Sequence, residues 1–238
     1  MYYNEYLSEK ITRTIPKNEL FICLFSGGKD SMLALSLAMQ TGICKTLLHC
    51  TDDSSNYSLN SFQELQVIKH IAKAIEVPIF LYKANWKNLI ELLKNYKNQG
   101  VNYVVSGDVR SEGIAKTHIY FCKCAGMIPC MPLWMRPYDE LFSEIENEGI
   151  KSIITAIRHP FKEKQCLGRI YDRNLYEHFK YLNIDCFGEN GEFQSTTIHA
   201  NCFKNPFNVR YSIDEICQTT SLKGDVAYLP INVLERVV

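Results

Sequence analysis

The fold of this 238-residue chain is decided by residues 21–40, which read FICLFSGGKDSMLALSLAMQ. Residues 21–25 are an apolar run of strand length, and residues 32–40 are a run of helix formers that ends before Gly42. The segment between them predicts a tight turn from a strand into a helix. Such a turn places free backbone N–H groups at the positive end of a helix, which is a binding site for phosphate.

The first residues of the turn point to a polyphosphate. Gly27 and Gly28 allow positive φ and lack the Cβ atoms that would keep a phosphate chain away from the backbone. Lys29 can neutralise phosphate charge. The turn lacks the spacing of the P-loop and of the dinucleotide fingerprint, so the evidence lies in the whole string SGGKDS after a buried strand.

The remaining residues of the turn point to a cation as well. Ser26 and Ser31 add hydroxyl donors. Asp30 fits beside an anion only when a divalent cation or a substrate amine is also present. We therefore expect the turn to bind ATP with Mg²⁺, the metal reaching Asp30 through the nucleotide. The alternative is an ordinary strand-to-helix turn, which does not require a lysine and an aspartate together.

Composition and charge exclude several classes of partner. The chain is 46% hydrophobic, which gives a sizeable core, and its 26 basic and 26 acidic residues cancel. A neutral chain has no global field to collect nucleic acid or a membrane surface, so neither is expected as a partner. Near-zero net charge also predicts modest solubility or an oligomer that hides some surface, and a homodimer is one form of it.

The ten cysteines are expected to be reduced thiols. The first ten residues have no basic segment followed by an apolar stretch, which predicts a cytoplasmic protein. No run approaches the roughly 18 apolar residues that a membrane helix needs. Most of the thiols are expected to serve as small buried hydrophobes.

Strands and helices alternate over the first half of the chain. After the turn and its helix, strands are predicted at residues 45–51, 77–82 and 101–105, and helices at residues 59–76, 86–99 and 111–125. This alternation predicts a twisted parallel sheet with right-handed crossovers, an α/β fold. Ligands bind beyond the carboxyl ends of such strands, where Thr51, Gly107 and Asp108 stand, so we expect these residues to line one crevice with the turn.

The pattern changes after Gly126. An apolar segment with two prolines covers residues 127–134, and helices are predicted at 138–148 and 172–181, a strand at 152–157, and short strands and turns from 187 onwards. We therefore expect two domains, at residues 1–125 and 126–238.

Several segments stand in the order found in a known family. They are GDV at 107–109, MPLW at 131–134, LGR at 167–169, FGENGEF at 187–193 and CFKNP at 202–206. Together with SGGKDS at 26–31, they make the chain resemble the N-type ATP pyrophosphatases, or PP-loop enzymes, of the diphthine–ammonia ligase family, as a divergent bacterial-type member. The resemblance covers about residues 20–207.

The resemblance implies an adenine nucleotide α-hydrolase-like domain, of the Rossmann-like HUP type, followed by a smaller α/β substrate domain. The implied enzyme is an ATP pyrophosphatase that adenylates a carboxylate or carbonyl oxygen and then transfers ammonia to form an amide. Its partners would be ATP, a small-molecule or protein acceptor, and an ammonia donor.

The motifs also imply two sets of site residues. The nucleotide set is Ser26, Gly27, Gly28, Lys29, Asp30, Ser31, Thr51, Gly107 and Asp108, in which Lys29 and Asp30 are expected to be catalytic. The substrate set is Trp134, Arg169, Gly188, Glu189, Asn190, Gly191 and Glu192. Glu189 and Glu192 are the catalytic candidates here, since they could hold an ammonium ion or a cationic substrate, or take a proton from the attacking amine. Arg169 offers a fork for carboxylate or phosphate.

The residues themselves leave alternatives for the substrate set. Glu189 and Glu192 also fit a charged surface turn, since Asn-Gly is a hairpin signal. Trp134 stands in an apolar pattern and also fits a core anchor.

The chain departs from the family at two places. Where family members carry an arginine and a glutamate on the helix after the Gly-Asp loop, residues 115–119 read AKTHI, so Lys116 or His118 could supply the charge. Where the family often has His-Thr, this chain has Gln194 and Ser195.

Two other functions stay open. Related PP-loop enzymes transfer sulfur through a cysteine persulfide, for which the candidates are Cys122, Cys124, Cys130 and Cys166. A non-catalytic nucleotide sensor would keep the phosphate donors of the turn, but it has little need for Asp30.

Overall fold

In the computed structural model of the chain, the residues described are 7, 9–51, 65–83, 85–158, 164–221 and 224–234. They group into two units that are interleaved in the sequence. The first unit holds the described residues of Met1–Ser26, Asp30–Ser54 and Val77–Pro137, and the second holds those of Gly27–Lys29, Ser55–Glu76 and Tyr138–Val238. The domain boundary near residue 125 stays a prediction.

A five-stranded parallel sheet forms the centre of the first unit. Its strands are β1 (Leu20–Leu24), β2 (Ile43–Thr51), β3 (Ile79–Lys83), β4 (Tyr103–Val105) and β5 (Ile128–Cys130). They lie in the order β3-β2-β1-β4-β5, and every neighbouring pair is parallel. The α/β fold expected from the sequence is confirmed. Because β1 lies between β2 and β4, the strand order reverses at β1, and the carboxyl ends of these three parallel strands lie at the same edge of the sheet.

Six α-helices lie in the described residues. They are α1 (Lys29–Met39), α2 (Leu65–Ile75), α3 (Trp86–Asn98), α4 (Glu112–Ala125), α5 (Tyr138–Asn147) and α6 (Arg173–Tyr181). In the first unit, α3 and α4 cover the central strands, and their buried side chains Leu89, Leu93 and Phe121 pack with Ile22 and Leu48. The start of α3 is capped by the Asn85 side chain, which accepts a hydrogen bond from the Lys87 N–H at 3.0 Å.

The second unit contains antiparallel sheets. Four strands, β6 (Lys151–Arg158), β7 (Phe193–His199), β9 (Cys217–Ser221) and β10 (Gly224–Tyr228), lie in the order β7-β6-β10-β9, and β8 (Asn208–Arg210) pairs with β11 (Asn232–Leu234). An aromatic cluster joins α5 to α6 here. The ring of Phe142 lies 4.5 Å from that of Tyr176 and 5.4 Å from that of Tyr171, between ring centroids.

The CFKNP motif has a structural role in the second unit. The backbone N–H groups of Lys204 and Asn205 both donate to the carbonyl of Ala74, at 2.7 and 3.1 Å. Their side chains bind the carboxylate of Glu76, which has a positive φ of 61° directly after α2. The motif therefore satisfies the carbonyl end of α2.

Strand β5 was not predicted from the sequence, because Pro129 interrupts its apolar run. The strand lies at an edge of the sheet, where a residue without an N–H is tolerated. The carbonyl of Pro129 accepts a hydrogen bond from the Thr12 N–H at 3.0 Å. The parallel sheet therefore continues past residue 125, to Cys130.

The helices predicted from residue 86 onwards agree with the structure to within one residue at each end, and α1 begins at Lys29, three residues before the run of helix formers at 32–40. The helix predicted from residue 59 is seen as α2 from Leu65, and its first part lies outside the described residues. All ten cysteines are described, and none of them forms a disulfide bond. Across the described ranges, every helix is too short or too polar to cross a bilayer.

The N-cap of α6 gives a test of local stability. The Asp172 side chain accepts a hydrogen bond from the Leu175 N–H at 2.9 Å. Asp172→Ala removes this bond and should lower the free energy of unfolding by about 1 kcal/mol in chemical denaturation. Asp172→Asn keeps an acceptor and should retain most of the stability. Equal losses in both variants would contradict the capping role.

Candidate active site

The turn between β1 and α1 has the form that the sequence predicts. Gly27 has a φ of 84°, which glycine adopts without steric cost. The hydroxyl oxygens of Ser26 and Ser31 lie 3.0 Å apart, so one donates to the other. Ser26 is exposed and Ser31 is buried. Two hydroxyls at the start of a helix are thus held side by side.

Gly107, on the loop after β4, lies directly against the first turn of α1. A Cβ atom at this position would be 2.7 Å from both the carbonyl carbon of Asp30 and the nitrogen of Ser31. These are backbone atoms, which cannot move aside as a flexible side chain could. The close approach therefore requires glycine, and it brings two of the predicted nucleotide loops into contact within the first unit.

Strand β2 contributes a buried histidine that sequence reasoning missed. Nδ1 of His49 lies 2.7 Å from the carbonyl oxygen of Phe25, the residue before the turn. A carbonyl only accepts, so Nδ1 carries the proton, and burial lowers the pKa of His49 and keeps the ring neutral. Nε2 is then a buried acceptor with no partner among the described residues. Thr51, at the end of the same strand, is buried and donates to the Tyr82 carbonyl at 3.3 Å.

Asp108 is held by two side chains of the first unit. The hydroxyl of Ser106 donates to its Oδ2 atom at 2.7 Å, and Nδ1 of His118 lies 2.6 Å from the same oxygen. His118 was one of the two residues expected to supply charge on this helix. The other, Lys116, lies 3.5 Å from Glu112 at the exposed surface of α4. Of these two, His118 is the residue that meets the Gly-Asp loop.

The Lys29 side chain is buried among aromatic residues of the second unit. Its ammonium donates to the Phe187 carbonyl at 2.5 Å and lies 5.0 Å from the ring centroids of Phe187 and Phe193 and 5.4 Å from that of Tyr171. The residue is 2% exposed and belongs to the second unit. The rings and the carbonyl stabilise the cation in this place. A role for Lys29 in offsetting phosphate charge stays a prediction.

Two residues of β7 hold the backbone of the turn in the second unit. The hydroxyl of Ser195 accepts a hydrogen bond from the Lys29 N–H at 3.2 Å, and the Thr197 N–H donates to the Gly27 carbonyl at 2.9 Å. Ser195 thus satisfies one of the N–H groups at the start of α1. The residue that replaces the family's threonine therefore supports the turn.

The GENGE segment is fixed by Asp185, a residue that sequence reasoning also missed. Its Oδ1 accepts hydrogen bonds from the N–H groups of Phe187 and Glu189 at 2.9 and 3.3 Å, and its Oδ2 accepts one from the Tyr138 hydroxyl at 2.8 Å. Gly188 follows with a φ of 74°. These bonds give the segment carrying Glu189 a defined shape, unlike an unsupported surface turn.

The end of the segment lies against Arg158, at the end of β6. The Arg158 N–H donates to the Glu192 carbonyl at 2.9 Å. Gly191 has a φ of 85°, and a side chain at this position would run into the Arg158 guanidinium. Oε1 of Glu192 accepts a hydrogen bond from Asn190 Nδ2 at 3.0 Å. Four residues of the second unit thus meet here.

Two members of the predicted substrate set have other surroundings. Trp134 is fully buried with Leu7, Ala115 and Met131, which is the environment of a core anchor. Arg169 is exposed, and its backbone pairs with Ile154. A substrate-binding role for either residue stays a prediction.

Two of the candidate sulfur carriers, Cys122 and Cys130, are poor nucleophiles. Burial raises the pKa of both Cys122 and Cys130 to about 12, with the Asp108 carboxylate adding to the effect at Cys122. A thiol with such a pKa stays protonated near neutrality, and the thiolate is the reactive form. The described residues also contain no group of three or more histidines, cysteines, aspartates or glutamates that could hold a metal ion by themselves. The loop chemistry fits a cation brought by phosphates, with Asp30 as its carboxylate.

These features define the class of the protein. A parallel sheet whose strand order reverses at β1, with SGGKDS forming the turn into α1, is the nucleotide-binding arrangement of PP-loop proteins.

The family follows from sequence comparison. The family profile described as "Diphthamide synthase N-terminal domain" matches residues 20–129, and the one described as "Diphthamide synthase C-terminal domain" matches residues 138–227. The chain belongs to the diphthamide synthase family, a PP-loop family of ATP-using enzymes. The expected family is confirmed.

Comparisons with curated proteins and with solved structures add no further family. No curated protein matches the sequence. The chain is similar to a solved structure titled "The crystal structure of predicted subunit of tRNA methyltransferase from Methanocaldococcus jannaschii DSM". The sequence identity is 13% and the TM-score is 0.40. The similarity covers 76% of this chain and 97% of that chain.

Gly107 provides a direct test of the nucleotide loops. Gly107→Ala puts a Cβ onto backbone atoms of α1, so we expect a loss of about 1–3 kcal/mol in the free energy of unfolding and weaker binding of MgATP in calorimetry. Gly113 on α4 is the matched control, because a Cβ there meets no atom within 4 Å. Gly113→Ala should leave ATP affinity unchanged. Normal ATP affinity in Gly107→Ala would contradict the importance of this contact.

Lys29 can be tested by separating stability from affinity. Lys29→Met keeps the apolar stem but loses the ammonium, so the free energy of unfolding should fall by about 1–3 kcal/mol. We expect the Kd for MgATP to stay within about twofold of wild type, because the Phe187 carbonyl and the aromatic rings already bind the ammonium. Lys69→Met, at an exposed position of α2, is the control. A large loss of ATP affinity with unchanged stability would restore the phosphate role.

Proposed function

We propose that the chain is an ATP pyrophosphatase that adenylates an acceptor carboxylate or carbonyl oxygen and then transfers ammonia to form an amide. The observation that carries the proposal is the contact of Gly107 with the start of α1, at the point where the strand order of the parallel sheet reverses. Membership of the diphthamide synthase family supports it.

The nucleotide would bind at residues 26–31. The backbone N–H groups at the start of α1 and the hydroxyls of Ser26 and Ser31 are the donors for its phosphates. A bound Mg²⁺ would neutralise phosphate charge there, and Asp30 is the carboxylate that would hold it. His49 Nε2, an acceptor without a partner among the described residues, is suited to a donor of the nucleotide such as an amine or hydroxyl.

In the first chemical step, one bond forms and one bond breaks. An oxygen of the acceptor carboxylate attacks the α-phosphorus of ATP, and the bond from that phosphorus to the bridging oxygen breaks. Pyrophosphate leaves with the electron pair, and the acceptor becomes an acyl adenylate. Hydrogen-bond donors fixed in the turn before the reaction would stabilise the charge that develops on the phosphates.

The second step would use the carboxylates of the GENGE segment. The nitrogen of ammonia attacks the acyl carbon, and the bond from that carbon to the AMP oxygen breaks. The nitrogen loses a proton as the amide forms. Glu189 and Glu192 are the groups that would hold the ammonium ion and accept this proton. The Glu189 N–H donates to Asp185 and the Asn190 amide donates to Glu192, and these hydrogen bonds give the segment the fixed shape that such a role needs.

Sulfur transfer and nucleotide sensing are the alternatives. The raised pKa values of Cys122 and Cys130 disfavour a persulfide carried by either thiol. A sensor would bind ATP at the same turn and release no pyrophosphate. The ten free thiols fit a reducing compartment, and we place the enzyme in the cytoplasm. A homodimer stays a prediction.

Product analysis tests the proposal without knowledge of the acceptor. The purified chain is incubated with MgATP and a panel of carboxylic acids, with hydroxylamine in place of ammonia to trap acyl adenylates as hydroxamates. We expect AMP and pyrophosphate in equal amounts, together with a hydroxamate from at least one acid. Glu189→Gln should keep ATP binding and lose hydroxamate formation, whereas Glu177→Gln, at an exposed position of α6, should behave as wild type.

The products also discriminate the alternatives. ADP and orthophosphate as the products would contradict the proposed bond cleavage. Nucleotide binding with no release of pyrophosphate for any acid would favour the sensor. Wild-type hydroxamate formation in Glu189→Gln would remove the GENGE segment from the mechanism.

A further inference from the structure

Arg158 and Glu192 each carry a buried polar atom without a partner. Nε of Arg158 and Oε2 of Glu192 have no hydrogen bond to any described residue. The two residues are neighbours, since the backbone N–H of Arg158 donates to the carbonyl of Glu192 at 2.9 Å. Among the described residues, their side chains form no ion pair with each other. A guanidinium and a carboxylate therefore belong to neighbouring residues. The guanidinium has an unused donor, Nε, and the carboxylate has an unused acceptor, Oε2.

Such an arrangement costs stability. Arg158 and Glu192 are partly exposed, but these two atoms are cut off from water, and the hydration they lose is recovered only when a partner supplies hydrogen bonds. An unsatisfied atom of a charged group costs more stability than one of a neutral group. A pair of unsatisfied groups in a well-supported segment is best explained by a partner that binds from outside the chain.

The surrounding backbone keeps both side chains in place. The guanidinium lies against Gly191, where any side chain would collide with it. The Glu192 carboxylate is held at its other oxygen by Asn190, at 3.0 Å. The GENGE segment is itself fixed by Asp185. One oxygen of Glu192 and Nε of Arg158 are thus left for a ligand.

We propose that Arg158 and Glu192 form a two-charge binding site for the acceptor, in which the guanidinium binds a carboxylate and Glu192 binds an adjacent ammonium group. A guanidinium donates to carboxylate oxygens, and an unpaired carboxylate oxygen accepts from an amine. The ligand is a small zwitterion, or an acid bound together with an ammonium ion. The inference deepens the proposed function, since it assigns the class of substrate to that site.

The role of Arg158 has no counterpart in the motifs of the chain. It lies outside GDV, MPLW, LGR, GENGE and CFKNP, and the pairing of β6 with β7 brings it against GENGE. A residue of this kind selects among substrates, because removing it alters the charge that the site prefers. Glu192 then serves to bind the nitrogen group, and Glu189 remains the candidate for proton transfer.

Binding is measured on the full chain without nucleotide, by calorimetry or ligand-observed NMR. The probes are glycine, β-alanine and 4-aminobutyrate, which vary the spacing between amine and carboxylate, then propionate alone, ethylammonium alone, and propionate with ammonium chloride. We expect a zwitterion, or propionate together with ammonium, to bind more tightly than either single charge. If a zwitterion binds most tightly, the acceptor resembles an amino acid. If propionate together with ammonium binds most tightly, the site takes an acid and ammonia as separate molecules.

Variants connect the binding to the two residues. Arg158→Gln and Glu192→Gln should each weaken binding about tenfold or more, since each removes a charge-assisted hydrogen bond. Arg158→Lys should recover part of the affinity. Arg210→Gln and Glu177→Gln, at exposed positions of the same unit, should stay within about twofold of wild type. Absence of binding for every probe, or unchanged binding in both site variants, would overturn the proposal.

Thermal unfolding without ligand separates ligand binding from an internal ion pair. If the two groups await a ligand, Arg158→Met and Glu192→Gln should keep or raise Tm, because each removes an unsatisfied charge. A lower Tm in both, restored by the double charge reversal Arg158→Glu with Glu192→Arg, would show that they pair with each other and would overturn the proposal. Because these assays use no ATP, failure of pyrophosphate release would leave their result intact, and the reverse also holds.

Discussion

The contact of Gly107 with the backbone at the start of α1 is the constraint on which the nucleotide half of the molecule depends. No other residue type fits, since a Cβ would lie 2.7 Å from backbone atoms of Asp30 and Ser31. The contact exists because β1 and β4 are parallel neighbours, so that the loops after them leave the same edge of the sheet. Sheet order, a glycine and a helix start together produce a surface of backbone donors suited to phosphate.

Part of the turn lies in the second unit. Its residues 27–29 bind β7 through Thr197 and Ser195, and the Lys29 ammonium binds the carbonyl of Phe187. Phe187 directly precedes the GENGE segment. Through a buried cation among aromatic rings, Lys29 therefore contacts the residue that comes directly before this segment.

Sequence patterns predicted most of the fold and only part of the site. The alternation of strands and helices predicted the parallel sheet, and the order of the motifs indicated the family. The edge strand β5 was not predicted, because a proline in a short apolar run argues against a strand. The contacts of the Lys29 side chain could not be predicted, because residue type shows what a side chain can bind and not where it points. Asp185, His49 and Arg158 carry no local signal, since each acts through contacts that only the folded chain creates.

A crystal structure with a non-hydrolysable ATP analogue and Mg²⁺, in which a methylene group replaces the oxygen between the α- and β-phosphorus atoms, tests the central claim most directly. The account predicts that the phosphates lie at residues 26–31, within hydrogen-bond distance of the backbone N–H groups and of Ser26 or Ser31, with the Lys29 ammonium still at the Phe187 carbonyl. Phosphates bound elsewhere on the molecule, or a turn left empty at saturating analogue, would contradict it.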